Sequence, residues 1–241
     1  MPDLQETLGF RYLHDTKFNR KTIREKERPH ISPGTAFKEY AETKKIALPR
    51  IWPETEAGLE ELLQKRRSGR QFSNSLSLED LAFLLWSMQG VTAQTGPYLL
   101  RTSPSAGALY PIETYLAVDR VDGVDAGLFH FDVKNFQLEQ LVGQSVSAIV
   151  SKGALDQGFV SKAAVTVIWS AVFRRNMVKY GHRGLRYIFL DCGHICQNLL
   201  LAAENLHLKS CPVAAFYDDE LNDLLDLDGV EESVVYLTSV G

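Results

Sequence analysis

"AAVTVIWSAVF" (residues 163–173), followed after a basic stretch by "LRYIFLDCGHICQNLLLAAENLHL" (185–208), decides the fold. The first run is almost wholly apolar, rich in valine and of strand length, which fits a strand buried on both faces. In the second, Ile188, Cys192, Ile195, Leu199 and Ala203 recur at helical spacing. That pattern predicts the longest helix of the chain, apolar enough to be central.

Outward from this pair, the middle of the chain is rich in β patterns. "ETYLAVDRV" (113–121) alternates, and "GLFHFDVKNFQLEQL" (127–141) holds two short alternating runs about the turn "DVKN", a hairpin signal. "SVVYLTSVG" (233–241) reads as a closing strand and "DDELNDLLDL" (218–227) as a short amphipathic helix. Two further helices are predicted upstream. In "TEAGLEELLQKRRS" (55–68), Leu59, Leu62 and Leu63 keep helical spacing, with acids early and bases late as the helix dipole prefers. In "SLSLEDLAFLLWSMQG" (75–90), Ser77 and Asp80 form a capping-box pair, Gly90 supplies the stop, and Leu81, Leu84, Leu85 and Met88 make the apolar face. Helices and strands in this order predict an α+β domain, a sheet covered by helices. Residues 1–50 differ: the charged run "KFNRKTIREKERPH" (17–30), punctuated by Pro29, Pro33 and Pro49, has little to bury. They are expected to form an N-terminal arm wrapping a domain of residues 51–241.

Composition limits the function classes. With 241 residues, 45% hydrophobic and 23% charged, the chain can bury a sizeable core, and a net charge of −4 argues against a general nucleic-acid binder. No apolar run approaches the ~20 residues of a membrane span. "MPDLQETLGFRYLHD" (1–15) lacks the apolar segment of a signal peptide, and the three cysteines are too few for a disulfide framework. A cytoplasmic protein is expected.

Several candidate sites compete. "DCGHIC" (191–196) offers Cys192, His194 and Cys196 as metal ligands, but inside a helix the two cysteines share the apolar face and the histidine points elsewhere. Core cysteines, and no metal, are the favoured reading. The chain lacks a G-x-S-x-G elbow, a P-loop and a strand-borne G-x-G-x-x-G. "KRRSGRQF" (65–72) puts four cationic side chains into six positions, "RTSPSAGALYPIE" (101–113) is a small-residue loop ahead of a strand, and "RRNMVKYGHRGLR" (174–186) carries five Arg or Lys residues and a histidine. Taken singly, the loop reads as surface and the basic stretch as a solvated segment.

Together, and in this order, the three segments resemble the nitroreductase superfamily of flavin enzymes, and within it the SagB/thiazole-oxidase type. "RRSGR" matches the superfamily's R-x-S-x-R/K signature. "SPSAGALYPIE" matches the P-S-A-G-x-x-Y-P loop of this subfamily, and "KYGHRGLRY" (179–187) its K-Y-G-x-R segment. The resemblance runs from about Leu59 to Gly241 and implies a nitroreductase-like fold, with a central mixed, mainly antiparallel sheet in an intertwined homodimer. It further implies bound FMN, NAD(P)H as a possible transient electron donor, and a small-molecule or peptide-borne substrate. By the same resemblance, Arg66, Arg67 and Ser68 address the flavin's pyrimidine edge and ribityl chain, where a cationic donor stabilises the charge of the reduced ring. Arg70 takes the phosphate. Pro104, Ser105, Ala106 and Gly107 form the loop that reaches the flavin from the other subunit, and Ala214 and Ala215 of "CPVAAF" (211–216) offer backbone amides to N5 and O4. Lys179 is the implied base and Tyr180 its donor or positioning partner; Arg174, Arg175, His182 and Arg183 are near in sequence and could depress the lysine.

The chain departs from the family pattern in three places. Alanines stand at 214–215 where many members have Glu-Gly, and Tyr110 stands where ordinary nitroreductases have glutamine. Members often continue past the final V-G with a basic residue, so phosphate contact here is expected from Arg70, Arg183 or Arg186. The implied activity is oxidation of azoline rings to azoles. The alternatives are NAD(P)H-driven reduction of nitro or quinone-like compounds, and a non-catalytic flavin-binding or partner-binding protein.

Overall fold

The computed structural model describes residues 3–21, 32–54 and 57–241; most of the charged run around Arg28 and Pro29 lies outside the described residues. The helices are α1 (Leu8–Asp15), α2 (Leu59–Lys65), α3 (Leu78–Gln89), α4 (Ser147–Gly153), α5 (Phe173–Tyr180), α6 (Gly184–Asn205) and α7 (Asp218–Leu224). The strands are β1 (Lys44–Ala47), β2 (Val91–Thr95), β3 (Tyr98–Arg101), β4 (Ile112–Val118), β5 (Gly127–Asp132), β6 (Gln137–Val142), β7 (Val165–Val172), β8 (Ser210–Val213) and β9 (Glu232–Val240). Seven strands form one sheet in the order β1-β6-β5-β4-β7-β9-β8, and β2 and β3 form a separate hairpin.

The architecture is α+β, with helices on both faces of the sheet. Every pairing between these strands is antiparallel. The parallel contacts among the described residues are isolated bridges at Ser68–Ser210 and Leu76–Val121. On β7, Val165, Val167, Trp169 and Ala171 point into the larger core with α3 and α6, while Ile168 points into the smaller one with α4 and α7. This two-residue alternation between two covered faces explains why β7 carries no charged residue and buries even its two polar ones, Thr166 and Ser170.

Local signals place the two helices of the larger core. Ser77 caps α3, with both bonds of the capping box formed between Ser77 and Asp80. Gly90 is the C-cap at which the backbone leaves α3, and it must be small because a Cβ there would stand 2.2 Å from Trp86 Cδ1. Ile188, Cys192, Ile195, Leu199 and Ala203 of α6 are all buried against the sheet, whereas His194 on the other side is exposed. The α2 helix forms where its leucine spacing puts it, but Leu59 and Leu63 are 64% and 54% exposed, so its apolar face stays largely uncovered within the chain. Two elements in residues 1–50 were not apparent from the sequence pattern: α1, and β1, which pairs with the edge strand β6.

Candidate active site

The α2 helix stops at Lys65, tied to Glu61 one turn back, and Arg66 forms its C-cap. The chain then runs beside β8: Ser68 bridges Ser210, and the Gly69 N–H donates to Ser210 O at 3.0 Å. This anchoring lines up Arg66, Arg67 and Arg70 with the end of the sheet. Among the described residues none of the three pairs with a carboxylate. Arg67 donates to the carbonyls of Gln64 at 3.0 Å and Arg66 at 2.7 Å, and Arg70 lies 5.6 Å from the Phe159 ring centre. Burial pushes the Cys196 and Cys211 thiols up, and the nearby charges of Arg66 and Arg70 respectively oppose it. Ala214 and Ala215 follow directly on β8 and are exposed. The Ala215 carbonyl accepts from Gln157 Nε2 at 3.2 Å.

A second group gathers around the loop after β3. Ser103 donates to Met88 O at 2.6 Å and accepts from Asn198 Nδ2 at 3.0 Å, which pins the loop between α3 and α6. Ser105 Oγ donates to Asp191 Oδ2 at 2.6 Å, and the Ala106 N–H donates to Asp191 Oδ1 at 3.3 Å. Gly107 has φ +67°, and a Cβ added there would stand 2.6 Å from both Lys179 Nζ and Tyr180 OH. The left-handed backbone favours glycine here, and a side chain would have to push the lysine and tyrosine tips aside. The tertiary fold thus joins the loop at 105–107 to the lysine-tyrosine pair of α5, more than 70 residues away in sequence.

Behind this loop stands a buried network that sequence reasoning missed. Arg175, 5% exposed, forms an ion pair with Glu113 at 2.6 Å. It also donates to Tyr110 O at 3.2 Å and Thr35 O at 2.8 Å. Glu113 meets His130 Nε2 at 3.2 Å, and His130 Nδ1 meets Glu139 at 2.8 Å. Lys45 of β1 closes the chain by pairing with Glu139. Burial alone would raise Glu113, but Arg175, His130 and Arg101 outweigh it and hold the carboxyl down at about 2. Burial likewise works against a charged His130, yet the hydrogen bonds to the two glutamates win and its pKa is raised. Arg101, pressed down to about 10 by burial against the pull of Glu113, donates to Gln89 Oε1 at 2.5 Å and lies 4.4 Å from the Tyr110 ring centre. Tyr110 is therefore a packing hub: its OH also accepts the Arg101 N–H at 3.0 Å.

The surroundings of Lys179 differ from the sequence expectation. Lys179 is exposed in the single chain. Of the nearby cations, Arg174 is paired with Glu231 at 2.5 Å and Arg175 with Glu113, so both are neutralised. Arg183 and Arg186, considered as phosphate ligands, both turn to the segment at the end of α1. Arg183 donates to Thr16 O at 2.8 Å, and Arg186 to Leu13 O at 2.5 Å and Thr16 Oγ1 at 2.9 Å. Among the described residues no hydrogen bond or ion pair joins the Arg66–Arg70 segment to the loop at 105–107 within the chain. Both groups border α6, through Cys196 and Asp191 respectively.

Comparison with known proteins gives a consistent result. The sequence model of the nitroreductase family matches residues 63–241. MJ1384 of Methanocaldococcus jannaschii, which carries the name nitroreductase, is 36% identical over 201 residues, 83% of this chain and 97% of that one. The trifolitoxin-processing protein TfxB of Rhizobium leguminosarum bv. trifolii is 30% identical over 172 residues, 67% of this chain and 46% of that one. Among solved structures, a protein from Anabaena variabilis described as a nitroreductase superposes with TM-score 0.77 at 26% identity, covering 95% of this chain and 45% of that one. The chain thus spans nearly all of the archaeal relative but less than half of the other two.

Proposed function

The chain belongs to the nitroreductase family of oxidoreductases, and on that premise we propose that it is a SagB-type dehydrogenase that binds FMN and oxidises azoline rings to azoles in a modified peptide or small molecule. The observation that carries this reading is the close approach of Gly107 to Lys179 Nζ and Tyr180 OH, which supports reading the two motifs as one site.

The donor set fits a phosphate-bearing flavin. Arg66, Arg67 and Arg70 lack carboxylate partners among the described residues, and the exposed Ala214–Ala215 segment follows directly on the strand that anchors them. In this reading Arg70 holds the phosphate, Arg66, Arg67 and Ser68 hold the pyrimidine edge and ribityl chain, and Ala214 and Ala215 present their amides to the ring. Bound FMN supplies the hydride acceptor. Lys179 takes the proton from the substrate carbon, and Tyr180 donates a hydrogen bond that orients the substrate. The Pro104–Gly107 loop forms the floor of this pocket.

A homodimer completes the site by bringing that loop to the partner's Arg66–Arg70 segment. The outward face of α6 supports this arrangement. Phe189 and Leu190 are 56% and 58% exposed, and the surface at Gly193 is open, so another helix can approach closely.

Replacing Lys179 by Ala is expected to leave FMN bound, as read by flavin absorbance, and to lower dehydrogenation of an azoline substrate by about 100-fold or more. Full dehydrogenation by that variant would remove the base assignment. The similarity to MJ1384 favours a second reading, NAD(P)H-driven reduction of nitro or quinone-like compounds. Steady oxidation of NADH with a quinone, independent of Lys179, is the result that selects it.

A further inference from the structure

Asp191 has no part in the chemistry just described, yet its environment is costly. It is 4% exposed, lies within α6 and has no cation within ion-pair distance among the described residues. Burial raises its carboxyl above the usual range. An unpaired buried carboxylate persists only where its hydrogen bonds matter. Here those bonds go to the loop alone: Ser105 Oγ–H at 2.6 Å and the Ala106 N–H at 3.3 Å. Ser105 Oγ in turn accepts the Tyr110 N–H at 2.9 Å, so both ends of the turn are tied to one carboxylate.

The turn needs such a tie. Gly107, Ala108 and Tyr110 have φ of +67°, +54° and +44°, and the left-handed region is unfavourable for alanine and tyrosine. Ser103 and the Arg175 bond to Tyr110 O hold the two flanks of the turn, and next to Gly107 the side-chain tie is the Asp191 bond to the Ala106 N–H. Gly107 is the point at which Lys179 Nζ and Tyr180 OH meet the loop.

We propose that Asp191 is a positioning residue of the Lys179–Tyr180 site: through Ser105 and the Ala106 N–H it fixes the height of Gly107 beneath the lysine amine and the tyrosine hydroxyl. The inference rests on the reading of Lys179 and Tyr180 as the reacting pair, but its test does not depend on turnover. The full chain, loaded with FMN where it takes the cofactor up, is treated with a limiting amount of an amine-acylating reagent. Modification of Lys179 is read by mass spectrometry against the exposed Lys152 and Lys162 of the same molecules. These internal references separate a local change from general loosening.

Asp191→Asn and Ser105→Ala are each expected to change the relative Lys179 rate by about threefold or more, with the double variant falling short of the two single effects combined, because the Ser105–Asp191 hydrogen bond is lost in both. Ser105→Ala removes only a hydroxyl and decides the matter alone if Asp191→Asn does not fold. A relative rate within about 1.5-fold of the parent in folded Ser105→Ala overturns the proposal, as do effects that add in the double variant. Full dehydrogenation by Lys179→Ala would instead sink the base assignment and leave the labelling result standing.

Discussion

Two groups of arginines stand in opposite circumstances in this molecule. Arg67 and Arg70 lie exposed at the end of the sheet with no carboxylate partner among the described residues, and Arg66 is half-buried beside them. Arg101 and Arg175 are 9% and 5% exposed and belong to a network of Gln89, Glu113, His130 and Glu139. The difference separates two uses of one side chain. An exposed guanidinium without a partner contributes little to stability and is available to an anionic ligand. A buried, paired one fixes the backbone around it, here the turn that carries Gly107, and its loss leaves an opposite charge stranded.

The sharpest way to break this comparison is to remove a buried partner. Arg175→Met strands Glu113 beside His130 and is expected to lower unfolding stability by about 3–5 kcal/mol in urea titration. A loss below about 1 kcal/mol would place Arg175 with the exposed group.

Acid should act on the same region. Glu113 is held from its ordinary 4.5 down to about 2, so its contribution to stability is complete above 4.5 and fades as pH falls toward 2. His130 has the opposite sign: with its pKa raised, its contribution is full below the ordinary 6.5 and is lost as pH rises through the folded value. Urea midpoints should therefore fall on the acid side in the parent chain. In Glu113→Gln the acid-side slope should be shallower, and an unchanged slope would count against this account.

Arg70→Ala tests the other group. It is expected to weaken FMN binding by about tenfold or more in fluorescence titration, the weight of a hydrogen bond to a charged group. Stability without flavin should change by less than about 0.5 kcal/mol. Equal effects on both would make Arg70 a structural residue. Arg67→Ala should weaken FMN binding less than Arg70→Ala, because Arg67 already donates to the carbonyls of Gln64 and Arg66. The same titration, run on both variants, gives the order.

Much of the frame was legible because its signals are local. The capping box at Ser77 and Asp80, the hairpin about residues 133–136 and the apolar stripe of α6 each depend on residues a few positions apart, and all appear where the pattern put them. The α5 helix was harder. Its residues read equally well as a solvated basic segment, since Arg174, Arg175 and Lys179 give no sign of which is buried. Asp191 was hidden in a different way, inside a stretch whose cysteines and histidine drew attention to a metal.

The sequence by itself determined the α+β class, the two faces of β7, the central helix and the three segments that carry the family's motifs, because hydrophobic period and short motifs are properties of neighbours along the chain. Tertiary structure alone decided that Gly107 lies beneath Lys179 and Tyr180, that Asp191 holds Ser105, and that Arg183 and Arg186 are spent on the end of α1. It also decided which arginines are buried. Each of these depends on groups far apart in sequence, and whether a charge is paired or left open is fixed by the partner that folding brings to it.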